Sequence, residues 1–341
     1  MVGDIIMKRI RLNFANTQID FIDRELALKR IEEWANKGTY PVQVIYGPEG
    51  CGKTAWLKQS TELLKELGFH VIYINPVERE FTIETRVEDV RRRFLEILRE
   101  ATNEYWIKVV WAVIDLAREV IRLSRGKVAV IVDDAFQAIG PDKAAIYVKG
   151  LLGLIEYPPE PYERIITIAA TSEGLSRWEI GRHRWAELTP MWNMGKEGFR
   201  KLYEQIPGNK PAFEEVWKLT GGNPSMLARL YQESWNTDLI VRRLIEEKKV
   251  TPEFIAKWRT WLEEAINDPD VLWRPDAPSE LIDELVKRNL ILYFMSDRDQ
   301  NLWIDEPPPE RDTELGIGRF VAWQSPLHRE AVRRALEWVR Q

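Results

Sequence analysis

Residues 47–54 read GPEGCGKT, and they directly follow the apolar run PVQVIY at residues 41–46. The octet matches the pattern G-x-x-x-x-G-K-[ST], in which a strand enters a glycine-rich loop and a helix leaves it. The amphipathic segment TAWLKQSTELLKELG supplies that helix. The sequence therefore predicts a phosphate-binding loop, with a plain glycine-rich turn before a helix as the alternative.

The residue types in this loop suit a nucleotide. Glycines at 47, 50 and 52 let the backbone curl, so that consecutive N–H groups face inward at a helix N-terminus, where phosphate is favoured. Lys53 is predicted to reach the outer phosphates, and the Thr54 hydroxyl is predicted to bind a magnesium ion. The predicted nucleotide-binding residues of the loop are Gly47, Pro48, Glu49, Gly50, Cys51, Gly52, Lys53, Thr54 and Ala55.

An acidic pair follows a second apolar run, KVAVIVDDA at residues 127–135. The run is typical of a fully buried parallel strand, and ligands of open parallel sheets collect at the carboxyl ends of the strands. Asp133 is predicted to hold magnesium through a water molecule, and Asp134 is predicted to act on the attacking water of a hydrolytic reaction. A helix cap or a turn is the alternative for this pair.

Two further segments complete the predicted sheet. HVIYINP at 70–76 and RIITIAATS at 164–172 read as strands, each preceded by a helical segment. Alternating strands and helices predict an α/β fold with a parallel, doubly wound core of the P-loop NTPase type. A helical insert is predicted over 84–124, where the triplet at 91–93 is either a basic patch or a solvated face paired with acids.

Composition limits the function classes. The net charge of −5 argues against a protein whose main task is to coat nucleic acid, and one cysteine with three histidines leaves little for a transition-metal site. No apolar stretch reaches eighteen residues, so we expect a cytoplasmic protein with no membrane partner. The sole cysteine, Cys51, lies inside the predicted loop.

Six segments, taken in chain order, carry a resemblance to a known family: FIDRELALKRIEEW at 21–34, the loop at 47–54, AVIVDD at 129–134, IAATS at 168–172, EIGRHRWAELTPM at 179–191 and LTGGNPSML at 219–227. Together they resemble the archaeal ATPase family of AAA+ proteins, close to the STAND-type signal-transduction NTPases and more distantly to the Orc/Cdc6 initiators. The GGNP stretch after a GR-containing segment is the narrowest of these signals. The resemblance implies ATP and Mg²⁺ as ligands.

The resemblance also implies a surface for the adenine base. Phe21, Ile22 and Arg24 match the segment that lies against the base in this family, with the two apolar side chains facing the ring and Arg24 making a polar contact. An ordinary hydrophobic staple before the first helix is an equally good interpretation.

Further roles follow from the same resemblance. Thr171 or Ser172 matches the residue that senses the outer phosphate through a hydroxyl. Arg182 matches an arginine that approaches the phosphate from within the chain or from a neighbouring subunit, and Arg184 is a near competitor. Pro224 matches the residue that places a helical lid near the base.

The chain divides, on this interpretation, into a P-loop ATPase core at 1–192, a helical lid domain at 193–272 and a winged-helix domain at 273–341. The last is predicted from a helix, two strands joined by a polar turn, a third strand and a closing helix. Residues 240–341 carry 20 acidic against 16 Lys and Arg side chains, so DNA binding is possible but has no support from charge.

These features favour an ATP-hydrolysing molecular switch that couples nucleotide state to closure of the lid and the winged helix. Its turnover is expected to be slow without an unidentified protein partner or self-association. An initiator-like, ATP-dependent DNA-binding protein is the alternative, and a small-molecule P-loop kinase is a further one, for which only Arg91, Arg92 and Arg93 could serve as lid residues.

Overall fold

A computed structural model describes residues 8–99, 106–172 and 174–339. The strands are β1 (Arg11–Phe14), β2 (Thr17–Asp20), β3 (Val42–Tyr46), β4 (His70–Asn75), β5 (Glu80–Glu84), β6 (Lys127–Asp133), β7 (Arg164–Thr171), β8 (Ala186–Pro190), β9 (Ile291–Tyr293) and β10 (Val321–Trp323). The helices are α1 (Glu25–Lys37), α2 (Lys53–Glu66), α3 (Glu88–Arg99), α4 (Trp106–Ser124), α5 (Ala135–Ile139), α6 (Pro141–Glu156), α7 (Gly174–Gly181), α8 (Lys196–Gln205), α9 (Phe213–Thr220), α10 (Pro224–Gln232), α11 (Thr237–Glu247), α12 (Pro252–Ala265), α13 (Ser279–Lys287) and α14 (Pro326–Trp338).

The central sheet has the strand order β5-β4-β6-β7-β3-β8. The pairs β4/β6, β6/β7 and β3/β7 are parallel, whereas β5 pairs antiparallel with β4. In this register Tyr46 lies opposite Thr171, and Asp133 lies opposite Ala170. The carboxyl ends of β3, β6 and β7 therefore meet at one edge, and the predicted parallel core is confirmed.

The sheet is held by apolar residues on both faces. Every residue of β6 from Val128 to Val132 is fully buried, and helices α1, α2, α4 and α6 contact the strands. Burying each such Val or Ile side chain contributes roughly 1.5–3 kcal/mol. The continuous apolar run read from the sequence is thus the inner strand of a covered sheet.

The two edge strands were not predicted. β5 reads EFTIE and β8 reads AELTP, and both are half-exposed for most of their length. Short, partly polar edge strands lack the apolar run that identifies an inner strand. The predicted insert over 84–124 accordingly begins with the end of β5 and contains α3 and α4 in its described parts, while residues 100–105 lie outside the described ranges.

The chain forms two compact units. The first comprises residues 1–10, 25–46 and 53–189, and the second comprises 11–24, 47–52 and 190–341. The second contains a large apolar cluster whose members, from Met226 to Leu336, lie on both sides of the predicted domain boundary at 272/273, and that boundary stays a prediction. A smaller cluster joins Phe14 and Ile19 of the β1/β2 hairpin to helices α8 and α9.

The C-terminal part differs from the predicted order of elements. β9 and β10 pair antiparallel, between α13 and α14, but the expected strand around residues 302–306 is wrong. Residues Gln300–Leu302 instead form a 3-10 turn, and the buried indole of Trp303 donates a hydrogen bond to the Asp297 carbonyl. Three prolines at 307–309, which lack N–H donors, then prevent a ladder. The winged helix stays a prediction.

None of the helices in the described ranges combines the length and the apolar character that are needed to cross a bilayer.

A buried histidine makes the stability of the second unit depend on pH. His328 is 1% exposed and its Nδ1 lies 2.8 Å from the Ser325 hydroxyl. Burial, and then the charge of Lys248, lower the pKa of His328 to about 3, partly opposed by Glu49. In the unfolded chain a histidine titrates near its ordinary value of about 6.5.

We therefore expect the free energy of unfolding to fall as pH drops from about 6.5 towards 3, because the unfolded chain binds a proton that the folded chain excludes. The contribution of His328 to this loss of unfolding free energy should be roughly 3 kcal/mol by pH 4. Urea unfolding from pH 4 to 7.5 should show a smaller pH dependence in His328→Asn than in the parent. Exposed His183→Asn is the control, and identical pH profiles for His328→Asn and the parent would contradict the assignment.

Candidate functional site

The loop between β3 and α2 has the backbone conformation that its glycines allow. Gly50 and Gly52 have positive φ values of 74° and 102°. A Cβ atom at Gly47 would lie 2.0 Å from the Met191 carbonyl oxygen, and one at Gly50 would lie 2.2 Å from Cβ of Ser225. Conformation and space therefore both require glycine at position 50.

Hydrogen bonds within the second unit hold the loop from outside. The Asn223 side-chain amide donates to the Glu49 carbonyl at 2.9 Å, and the Ser225 N–H donates to the Gly50 carbonyl at 3.2 Å. The Glu49 N–H donates to Oε1 of Gln324 at 2.7 Å. The GGNP stretch and the residue after β10 thus bind the backbone of the loop directly.

These bonds fix the direction of the loop amides. In a planar trans peptide the carbonyl and the following N–H point in opposite directions. Because Asn223 holds the Glu49 carbonyl, the N–H of Gly50 is turned to the opposite side of the backbone. Such an amide is available to an anion in the curl of the loop.

Asp133 ends β6 and is fully buried in the first unit. Its Oδ2 accepts hydrogen bonds from the Tyr73 hydroxyl and the Asn75 amide, both at 3.1 Å. Its Oδ1 is also buried and accepts no hydrogen bond from any residue that the structure describes. A buried acceptor without a donor is costly, and a hydrated cation would satisfy it.

The electrostatics of Asp133 agree with a cation site. Burial, and then the neighbouring Asp134, raise the pKa of the Asp133 carboxyl well above its ordinary value, while Thr54, Tyr73 and Lys53 act in the opposite direction. Within the described residues no group of three His, Cys, Asp or Glu side chains could hold a metal ion by itself. The residues fit a weakly held Mg²⁺ that draws most of its ligands from water and phosphate.

Asp134 is oriented differently from Asp133. Its backbone is left-handed, with φ of 48° and ψ of 20°, and its N–H donates to the Ala170 carbonyl at 3.0 Å. Its Oδ1 accepts the Ser172 N–H at 3.2 Å, and the side chain is half-buried. The pair thus places one carboxylate in the core and one at the surface of the sheet edge.

The predicted sensor position is built from the end of β7. The Thr171 hydroxyl is fully buried and lies 3.2 Å from the Ser176 hydroxyl, whereas Ser172 contributes its backbone N–H to Asp134. Arg177, on α7, was not anticipated from the sequence. Its guanidinium is buried and stacks on the ring of Tyr46 at 4.5 Å. An arginine within the mixed stretch GLSRWEIG gives no signal in the sequence that it is buried.

The family model described as an ATPase domain predominantly from Archaea matches residues 21–230, more than half of the chain. The chain belongs to this ATPase family. The match includes the loop, the acidic pair at 133–134 and the GGNP stretch. Nucleotide binding and hydrolysis are the chemistry that the family name describes.

Several solved structures resemble parts of the chain at low sequence identity. Aeropyrum pernix ORC1 in complex with DNA is 15% identical over 93% of this chain and 93% of its own, with a TM-score of 0.41. Aeropyrum pernix ORC2, in ADPNP and ADP complexes, is 16% identical over 77% of this chain and 67% of its own, with a TM-score of 0.39. AMPPCP-bound DnaA from Aquifex aeolicus is 17% identical over 69% of this chain and 74% of its own, with a TM-score of 0.38. At these scores the similarity carries no argument about function. No match is found among curated proteins.

The residues that the family resemblance assigns to the base lie in the second unit of this ATPase-family chain. Phe21 is buried, and Ile22 packs against the cluster around the β1/β2 hairpin. Arg24 is 3% exposed and donates to the Cys51 and Trp192 carbonyls, and its polar contact with a base stays a prediction. Pro224 lies beside the loop, with its Cγ 4.0 Å from the position of a Cβ at Gly52.

The arginine expected near the phosphate is at the surface. The Arg182 side chain is 71% exposed and pairs with Glu179 at 3.3 Å, one turn earlier on α7. Arg184 is exposed as well. Neither is drawn towards Asp133 or Asp134 in the described contacts of the first unit, and the role of Arg182 stays a prediction.

The triplet at residues 91–93 gives no sign of a phosphate lid. Arg92 pairs with Asp89 at 2.7 Å, and Arg93 pairs with Glu119 of α4 at 2.8 Å. Both arginine side chains are well exposed, so these two positions form a solvated face with acidic partners. Exposed pairs of this kind contribute about 0–1 kcal/mol.

The contact between Gly50 and Ser225 can be measured as stability. Gly50→Ala should cost about 2–4 kcal/mol, because it adds a steric conflict with Ser225 to the strain of a positive φ. Gly208→Ala is the matched control, since Gly208 has φ of 84° and open space around its Cα, and it should cost about 1 kcal/mol. Urea unfolding checks both values.

Adding Ser225→Gly to Gly50→Ala should recover the steric part of the loss. The close approach would be disproved by equal costs for the Gly50 and Gly208 variants, or by no recovery in the double variant.

Proposed function

We propose that the chain is an ATP-binding and ATP-hydrolysing molecular switch, in which nucleotide state is coupled to closure of the helical lid at 193–272 and the C-terminal winged helix at 273–341. One observation carries the proposal. Within a single compact unit, the phosphate loop is hydrogen-bonded to Asn223 and Ser225 of the lid and to Gln324 beyond β10. A change in the loop on binding phosphate must therefore change contacts made by the lid.

Binding uses the loop and the start of α2. Inward-facing amides and the helix N-terminus favour the phosphates, and Lys53 supplies the positive charge for their outer oxygens. Thr54 and Asp133 would hold Mg²⁺, which supplies charge neutralisation on the phosphate oxygens. Lys53 is 4% exposed, so its ammonium acts in a weakly screened environment.

Hydrolysis needs a proton acceptor near the attacking water. Asp134 supplies it, since its carboxylate is held by the Ser172 N–H at the open edge of the sheet. The water oxygen forms a bond to the γ-phosphorus, the bond from that phosphorus to the bridging oxygen breaks, and Asp134 takes the proton. ADP leaves with the electron pair on its terminal oxygen.

The coupling step rests on the Glu49 N–H. This amide is bound to Gln324 in the present structure, and a phosphate at the loop competes for amides in the same stretch of backbone. When the Glu49 N–H binds phosphate in place of Gln324, the Gln324 side chain is released. Gln324 lies one residue after β10 and two residues before the start of α14. The hydrogen bonding of the β10/α14 junction thereby depends on whether phosphate is bound at the loop.

Output goes to a protein partner or to a second copy of the chain. Arg182 is exposed after the end of α7 and pairs with Glu179, so its guanidinium is accessible to a phosphate bound in another subunit. DNA is a weaker candidate, because acidic residues outnumber basic ones over 240–341.

Two substitutions separate binding from chemistry. Lys53→Ala should abolish ATP binding measured by calorimetry, because the charge that meets the outer phosphates is lost. Asp134→Asn should keep binding and lower the hydrolysis rate by roughly 10²–10⁴-fold, the range for loss of a general base. Asp115→Asn, an exposed acid on α4, is the control. Unaltered ATP binding in Lys53→Ala would remove the proposal.

Self-association is tested by light scattering with and without ATP and Mg²⁺, combined with a hydrolysis assay. Assembly with nucleotide should be accompanied by a fall of about 10³-fold or more in the turnover of Arg182→Ala. Arg92→Ala is the matched control, since that arginine is 73% exposed and also pairs with an acid three residues away. A monomer under all conditions, with parental turnover in Arg182→Ala, would exclude the role between subunits.

A further inference from the structure

A fully buried ion pair lies behind the phosphate loop in the second unit. Nη1 of Arg24 is 2.8 Å from Oδ2 of Asp305, and the two side chains are 3% and 5% exposed. Nη2 of the same guanidinium donates to the Cys51 carbonyl at 2.6 Å and to the Trp192 carbonyl at 3.0 Å. One planar group thus joins the loop, the segment after β8 and the segment before the three prolines.

The backbone that carries Arg24 is itself strained. Asp23 and Arg24 have consecutive positive φ values of 64° and 67°. Non-glycine residues adopt this conformation only where the surroundings enforce it. Gly198 provides the space, because a Cβ there would lie 2.1 Å from Oδ2 of Asp23. The direction of the Arg24 side chain is therefore imposed by the fold.

The position of Asp305 is also fixed. The neighbouring Ile304 N–H donates to the Pro190 carbonyl at 3.0 Å, and the Gln300 side-chain amide donates to the Asp305 carbonyl at 2.9 Å. A buried guanidinium without its carboxylate would carry an uncompensated charge. Asp305 is thus what permits Arg24 to stay beside the loop.

We propose that Arg24 and Asp305 are a positioning pair for the phosphate loop, through which the segment 299–305 controls how well the chain binds a nucleotide. Arg24 holds the Cys51 carbonyl on the outer side of the loop. Because the peptide is planar and trans, the Gly52 N–H is turned to the inner side, next to Lys53. The contribution to nucleotide binding rests on the proposed function, whereas the effect on the loop does not.

The reaction rate of the Cys51 thiol measures opening of the loop in the absence of nucleotide. It is the sole cysteine of the chain, it is fully buried, and its own carbonyl is the group that Arg24 holds. A thiol reagent can reach it only when the loop opens or the protein unfolds. Local opening exposes little surface and so depends little on urea, whereas global unfolding depends on urea steeply.

Three variants test the pair. Asp305→Asn removes the charge with little change of shape, and Asp305→Glu keeps the charge. Arg24→Met combined with Asp305→Leu replaces the pair with apolar side chains of similar size, which often preserves stability. Asp276→Asn is the control, because Asp276 forms an exposed ion pair with Arg274 in the same unit.

In Asp305→Asn and in the apolar double variant, we expect urea-independent alkylation of Cys51 to be at least 10-fold faster and ATP affinity to be about 10–100-fold lower. Asp305→Glu should recover part of both, and Asp276→Asn should change neither. Parental alkylation and ATP affinity in the stably folded double variant would show that the pair only stabilises the fold, and would overturn the proposal. If the parent itself binds no ATP, the proposed function fails, while the alkylation rates still decide whether the pair holds the loop.

Discussion

A phosphate loop that turns its N–H groups towards an anion must turn its carbonyl oxygens the other way, because each peptide is planar and trans. Those carbonyls then need donors, which come largely from outside the loop. Here Asn223 donates to the Glu49 carbonyl, Ser225 to that of Gly50 and Arg24 to that of Cys51. The outer surface of the loop is therefore built from segments far away in the sequence.

The acidic side of the site follows a different constraint. Asp133 ends an inner strand and is fully buried, and its two carboxylate oxygens differ in their hydrogen-bond donors. Oδ2 has two donors, whereas Oδ1 accepts nothing from the described residues. Asp134, in a left-handed conformation, turns away from that environment and is held by a backbone amide. Adjacent carboxylates thus obtain different surroundings from a single change in backbone conformation.

The sequence predicted what depends on local pattern. The apolar runs of β3, β4, β6 and β7 identified the parallel strands, and the residues at their carboxyl ends identified the acidic pair. β5 and β8 were missed because edge strands need not be apolar. The segment at 302–306 was taken for a strand because it begins with the apolar residues Leu302, Trp303 and Ile304. The Arg24 partner could not be anticipated, since Asp305 is 281 residues away and only folding joins them.

The space around Gly50 has a consequence for how this loop can vary during evolution. In the general motif that position accepts any residue, since the nucleotide makes no demand on its side chain. In this chain Gly50 has a positive φ and the space beside it is taken by Cβ of Ser225, so part of the restriction comes from α10. Related chains with a larger residue at position 50 should carry a glycine, or a displaced α10, at position 225. Covariation between the two positions would record the contact between the loop and α10 across the family.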